Sequence, residues 1–398
     1  MSDTTTRIEE HLAALARWPG GRPVGSPANH AAEVSIADAL RAAGYEVEQQ
    51  SFACVDWRLG GVDLWVGDGP LPVTANPYSP PGDVTAPLAA VASLAELEAA
   101  ELRGRIALLH GALSAEPLFP RNYPFFTVEE HRRILDLLEQ KGARAVIAVS
   151  PMPADPAPII EDGDFTLPSV TVGAAVGAVL LMTERAPVTL RLRRAAQPGR
   201  AANVIGRRVH PSRDKLVLSA HFDTKPGTPG ALDNAAGVAT VLALAERLAA
   251  KPPTNLEFVF FNGEDHYAAP GEVAYIAGCG GEFGRIALMV NVDGVGLREA
   301  GTTVAFFNCP DTWAAAARTT MSRRPNLAET APWPQGDHSI FAMQGVPCIA
   351  LTSGGIHALI DSLIHTPNDT LDRLDPAAMA AAVDFLAELL GRPLPLRT

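Results

Sequence analysis

Two short stretches hold the residues best placed to do chemistry: His221-Phe-Asp223, and Asp233-Asn-Ala-Ala-Gly237 beyond a Gly/Pro loop. The first closes an apolar run, Leu216 to Ala220, whose length and bounding turns predict a buried strand. Residues i and i+2 of a strand project to the same side, so His221 and Asp223 leave the sheet together. The second stretch opens an Ala-rich apolar segment, Val238 to Ala250, that reads as a helix stopped by Pro252-Pro253. An imidazole and two carboxylates therefore gather at a strand-to-helix edge, where open α/β sheets place their sites. Further apolar runs end the same way. Leu256–Phe261 leads into Asn-Gly-Glu264-Asp265, Ile286–Val292 ends at Asp293-Gly294, and a later loop carries His365 in His-Thr-Pro-Asn-Asp-Thr370.

Taken singly, each of these residues has an ordinary reading: Asp233 as a helix cap, Glu264-Asp265 as a solvated loop, His365 as a surface imidazole. The set does not. Acids that converge unpaired repel one another unless cations are present. Imidazole and carboxylate without thiolate suit zinc, cobalt or manganese rather than a structural cysteine-type zinc site. Two such ions about 3.5–4 Å apart, bridged by one carboxylate, acidify a shared water and polarise a carbonyl. A further carboxylate, not itself a ligand, must then carry the proton to the leaving amine. Adjacent Glu264 and Asp265 can divide that work, one as base and one as ligand.

These residues need a scaffold. At 398 residues the chain has room for two domains. Its net charge of −12, with no basic run, argues against a nucleic-acid partner. Four scattered cysteines read as free thiols of a reducing cytosol. The N-terminus shows no secretory pattern and no stretch reaches the length of a membrane span, so a cytoplasmic protein without membrane contact is expected. Helices are expected over 5–18 and from Ala32 to Leu40, with Gly44 at the C-terminal cap and a strand from Tyr45 to Phe52. Residues 70–197 have the texture of a separate small α/β module with an aromatic loop, Phe119 to Phe126. From 200 onward short buried strands alternate with helices, as in a sheet covered on both faces.

The order HxD, DNxxG, Glu followed by an acid, Asp, and HTPxDT resembles the dizinc exopeptidase family of aminopeptidase Y, bacterial leucyl aminopeptidases and glutamate carboxypeptidase II. The Gly-Arg-Pro-Val-Gly-Ser-Pro-Ala-Asn29 turn and Gly336-Asp-His-Ser-Ile-Phe341, followed by Gly345-Val-Pro347, fit as well. The resemblance implies a three-layer α/β/α sandwich with a mixed, mostly parallel sheet, formed by 1–69 and 198–398, and a protease-associated-like domain inserted at 70–197. It implies two Zn2+ ions, with Co2+ or Mn2+ as substitutes. Asp233 would bridge them, His221 and Asp293 would complete one site, and Asp265 and His365 the other. Glu264 would be the general base and Asp223 would orient His221. A cis peptide is implied after Asp233.

Three departures stand out. Asp265 replaces a usual Glu, and His266 to Glu272 replace a glycine-rich continuation. Trp333 and Ile364 stand where relatives place an oxyanion-stabilising Tyr, leaving His338, His357, Tyr267 or the metal for that role. The expected activity is cleavage of a terminal amide bond in small peptides, with aminopeptidase foremost. A carboxypeptidase or N-acyl amino-acid amidohydrolase would need a guanidinium for a free carboxylate, for which Arg121 and Arg298 are the candidates. A glutaminyl cyclase or a non-catalytic binding homologue is the remaining alternative. The aromatic loop reads as a lid that limits substrate size.

Overall fold

A computed structural model describes residues 3–151, 157–183, 186–208, 214–250 and 255–391. The chain divides into two compact units, one made of Met1–Cys54 with Gly199–Thr398, the other of Val55–Pro198. Two long strands, Glu46–Val66 and Val188–Arg208, each begin in one unit and end in the other. The strand expected to stop at Phe52 instead runs on to Val66, which is why the second unit starts ahead of the Pro/Gly-rich stretch.

In the first unit the strand Lys215–His221 lies mid-sheet, with parallel neighbours Leu256–Phe261 and Ile286–Val292. Ile286–Val292 in turn pairs in parallel with Cys348–Ser353. The antiparallel members are Thr302–Phe307, beside Cys348–Ser353, and the strand ending at Arg208, beside Leu256–Phe261. Every residue from Leu216 to His221 is buried, as a strand covered on both faces requires.

Alternation sorts the two faces. Leu216, Leu218, Ala220, Phe258 and Phe260 pack with Ile8, Leu12, Ile36, Leu40, Val241, Phe385 and Leu389, from the helices Asp3–Leu15, Pro27–Ala42, Ala236–Ala249 and Pro376–Leu390. On the other face Phe261 meets Tyr275 and Phe341, from the helices Pro270–Cys279 and His338–Ala342. Helix, sheet, helix: three layers.

Local signals set the helix ends. Ser26 accepts a hydrogen bond from the Asn29 amide, with Pro27 opening the first turn. At the other end Gly44, at φ 83°, donates to the Arg41 carbonyl while Tyr45 donates to Leu40. That is a Schellman cap, which glycine adopts without strain.

The second unit has a five-stranded sheet in the order Thr74–Ala75, Ser169–Val172, Ala145–Val149, Ile106–Leu109, Leu88–Val91. Its two faces have separate cores, one around Leu109, Val146 and Leu138, the other around Leu108, Ile147 and Val170. Arg121 is largely buried within this unit, against Glu139 at 2.6 Å and Asp136 at 3.2 Å. It also donates to the Asp162 carboxylate through its backbone amide. The candidate for gripping a substrate carboxylate is thus spent on its own neighbours.

Candidate metal centre

The sheet delivers His221 at the end of a buried strand, and the strand Ile286–Val292 delivers Asp293 just past its own end. Between them Asp233 lies at the entrance to the helix Ala236–Ala249. Asn234 explains why this entrance needs its sequence. Its side chain donates to the Val292 carbonyl at 3.0 Å and accepts from the amides of Gly237 and Gly294 at 2.8 and 3.2 Å. A Cβ on Gly237 would fall 2.2 Å from both the Asn234 side chain and the Val292 carbonyl. The Asp233–Asn234 peptide is cis.

The predicted residues meet. His221 Nε2 is 3.1 Å from Asp233 Oδ1 and 3.5 Å from Asp293 Oδ1. His365 Nε2 is 3.1 Å from Asp233 Oδ2 and 3.3 Å from Asp265 Oδ1. Each oxygen of Asp233 therefore faces a different imidazole. Ligand atoms of His221, Asp233 and Asp265 all lie within 4.8 Å of one another.

Asp223 is fully buried and does more than was foreseen. Its Oδ1 lies 3.6 Å from His221 Nδ1 and accepts the amides of Gly263 and Glu264 at 2.7 and 3.2 Å; its Oδ2 accepts the Asp265 amide at 3.1 Å. One carboxylate thus fixes the loop that presents Glu264 and Asp265.

The electrostatics are those of a site built for cations. Burial opposes a charge on His221, but Asp293, Asp223 and Asp233 outweigh it and hold the imidazole well above its usual value. Burial likewise opposes His365, yet Asp265 and Asp233 raise it to about 10. Burial would push Asp233 up, but the two imidazoles hold it far below the usual carboxylate range. Burial, together with Asp265, Asp293 and Asp233, lifts Glu264 well above that range. The acids demand positive charge, and divalent cations would supply it. Neither ring nitrogen of buried His221 makes a well-aligned hydrogen bond, although carboxylate oxygens lie 3.1 to 3.6 Å away, so the donor set fits a metal.

A sequence profile for peptidase family M28 matches residues 203–390. The matched segment, residues 203–390, carries the pattern of that family. It is 25% identical to the protein described as "Probable lipoprotein aminopeptidase LpqL" of Mycobacterium tuberculosis, over 94% of this chain and 82% of that one. Its fold matches the zinc aminopeptidase BSAP of Bacillus subtilis with a TM-score of 0.79 at 22% identity, over 97% of this chain and 94% of that one. The aminopeptidase of Aneurinibacillus sp. strain AM-1 matches with a TM-score of 0.75 at 23% identity, over 97% and 93%.

The remaining sequence candidates fall elsewhere. His338 is fully buried, with Nε2 3.1 Å from the Trp333 carbonyl and its ring against Phe307; burial lowers it to about 4. Its packing against Phe307 and Trp333 is that of a core residue. Tyr267 stacks on His266 at 4.4 Å, and the His357 side chain lies outside the described residues. Arg298 donates to the carbonyls of Asp372 and Leu374.

Sequence reasoning missed Lys225, which donates to the Asp265 carbonyl at 3.1 Å with its ammonium 3.7 Å from the carboxylate. It also gave no role to Arg22 or Asp369, although both lie inside motifs it had singled out. No described helix is long and apolar enough to cross a membrane.

Proposed function

We propose that this M28 metallopeptidase is an aminopeptidase with two zinc ions, one held by His221, Asp233 and Asp293, the other by Asp233, Asp265 and His365. The observation that carries the reading is Asp233, with an imidazole 3.1 Å from each of its oxygens. When bound, the pair of ions acidifies a water and polarises the substrate carbonyl. Glu264 takes the proton of the attacking water and returns it to the leaving nitrogen. Asp223 keeps Glu264 in place through the backbone and keeps His221 oriented.

Charge favours an amino-terminal substrate. The centre is rich in acids, which suit an α-ammonium. Its cations Arg22 and Lys225 are already engaged, the first by carbonyls and the second by Asp265. A carboxypeptidase would need a guanidinium to spare, and Arg121 and Arg298 are committed to other partners. We read the second unit as a protease-associated-like domain. We read the chain as cytoplasmic, as its few, scattered cysteines suggest; the lipoprotein relative makes export the competing location, which cell fractionation decides.

The test is a paired assay on zinc-loaded protein. Aminoacyl amides with a free amino terminus should be hydrolysed, and their N-acetylated counterparts should not. Preference for the acetylated series would overturn the aminopeptidase reading.

A further inference from the structure

The loop between His221 and Asp233 carries the bridging carboxylate, and two buried charged residues grip it. Arg22 is wholly inaccessible to solvent. Its Nε donates to the Phe222 carbonyl at 2.8 Å, Nη1 to Leu15 at 3.1 Å and Pro229 at 3.0 Å, and Nη2 to Gly230 at 2.8 Å. All four acceptors are backbone carbonyls, three of them in this loop. Asp369, also wholly buried, takes the other end of the same segment. Its Oδ1 accepts the Leu232 amide at 2.7 Å and its Oδ2 accepts the amide of Asp233 itself at 3.0 Å. The Asp369 carbonyl adds the Ala231 amide at 3.3 Å.

Five consecutive residues, 229–233, are thus held, by carbonyls at one end and by amides at the other. The turn that carries Arg22 is itself seated on the loop. Its backbone amide donates to Thr224 Oγ1 at 2.8 Å, and Gly227 donates to the Gly20 carbonyl at 3.2 Å. Gly21, at φ 76°, has no room for a side chain, because a Cβ would fall 2.0 Å from the Thr228 carbonyl.

A buried guanidinium is costly to desolvate, and among the described residues it makes no direct ion pair; its charge is offset at longer range by Asp369, Asp223, Asp233 and Asp265. Only arginine offers a rigid planar fork that spans carbonyls on several sides; the ammonium of lysine is a single point. We propose that Arg22 and Asp369 are positioning residues of the metal centre, which fix the 229–233 segment and so aim both oxygens of Asp233 at the two ions. The inference rests on the dizinc reading above. It gives a function to the Gly-Arg-Pro-Val-Gly turn and to the last acid of the His-Thr-Pro-Asn-Asp motif.

The test uses the full chain with Arg22→Lys, Arg22→Ala and the isosteric Asp369→Asn. Zinc affinity is read by competition with a chelator, kcat and KM are measured separately, and a thermal melt follows folding. We expect the zinc dissociation constant to rise about 10–100-fold in each, the range seen when the outer partners of metal ligands are removed. kcat should fall, with KM changing far less. Guanidinium, added well below denaturing concentrations, should restore zinc affinity and kcat to Arg22→Ala and do nothing for Asp369→Asn. Should the Arg22 variants fail to fold, Asp369→Asn decides alone. Wild-type zinc affinity and kcat in folded variants, with only a lower melting point, would overturn the proposal. A wild-type protein that binds no zinc would instead defeat the dizinc reading.

Discussion

Asp223→Asn removes one charge and exchanges one oxygen for a donor, with almost no change in shape. If the amide oxygen keeps the place of Oδ1, the bonds from Gly263 and Glu264 survive in weakened form. The new NH2 group then faces the Asp265 amide, which now donates at 3.1 Å to Oδ2. A hydrogen bond to a charged group contributes about 1.5–3 kcal/mol, and a stranded buried N–H costs about 1–3 kcal/mol. A loss of about 3 kcal/mol follows. In a unit of this size that lowers the melting midpoint by about 6–12 °C. The loop must relax, and Asp265 moves with it, so the ion held by Asp265 and His365 should weaken more than the one held by His221 and Asp293. Zinc content measured by elemental analysis after dialysis against graded chelator should show one ion leaving early and the second later. Unchanged melting, with both ions retained as in the wild type, would refute the claim that Asp223 organises the acid loop.

Glu264→Gln should keep both ions yet lower kcat by about 10²–10⁴-fold, since proton transfer is lost; steady-state kinetics beside zinc analysis check both halves. Asp233→Ala should release zinc from both sites, because one carboxylate serves both; normal zinc stoichiometry would rule out a bridge. His338 supplies a pH dependence of stability. Burial lowers it from 6.5 to about 4, so below pH 6.5 the unfolded chain takes up a proton that the folded chain refuses. Stability is therefore intact above pH 6.5 and declines as pH falls towards 4, by about 3 kcal/mol for this group. Urea melts across that window should show His338→Phe losing less stability than the wild type; parallel slopes would contradict the assignment.

Chemistry was more legible than architecture. His221, Glu264, Asp265 and Asp293 drew notice because short apolar strands end abruptly in ionisable residues, a pattern that burial makes rare, whereas Asp233 and His365, at a helix entrance and in a loop, drew notice only through their motifs. The central strands were equally plain, since a strand covered on both faces reads as a continuous apolar run. The strands Thr302–Phe307 and Leu327–Glu329 were not picked out. The first has only the four apolar residues Val304 to Phe307 after two threonines, and the second is three residues long at the sheet edge, so neither presents a long apolar run. The long strand Glu46–Val66 was cut short because its mostly apolar, half-buried continuation beyond Phe52 is broken by Asp56, Arg58, Gly60 and Gly61, residues that read as a turn.

Roles performed through the backbone were hidden for a different reason. Asp223 holds amides and Arg22 holds carbonyls, and neither kind of acceptor or donor is encoded by a side chain. The identity of Arg22 was visible in the Gly-Arg-Pro-Val-Gly turn, but its three partners in the loop lie some two hundred positions away. His338 and Arg298 were judged by type alone, and packing sent each to a structural task.

The central claim is that Asp233 sits between two cations. Anomalous diffraction at the zinc edge from crystals grown with the metal measures this directly. Two peaks are expected, one beside each oxygen of Asp233, the first within reach of His221 and Asp293 and the second within reach of Asp265 and His365. A single peak, or zinc bound away from Asp233, would contradict it.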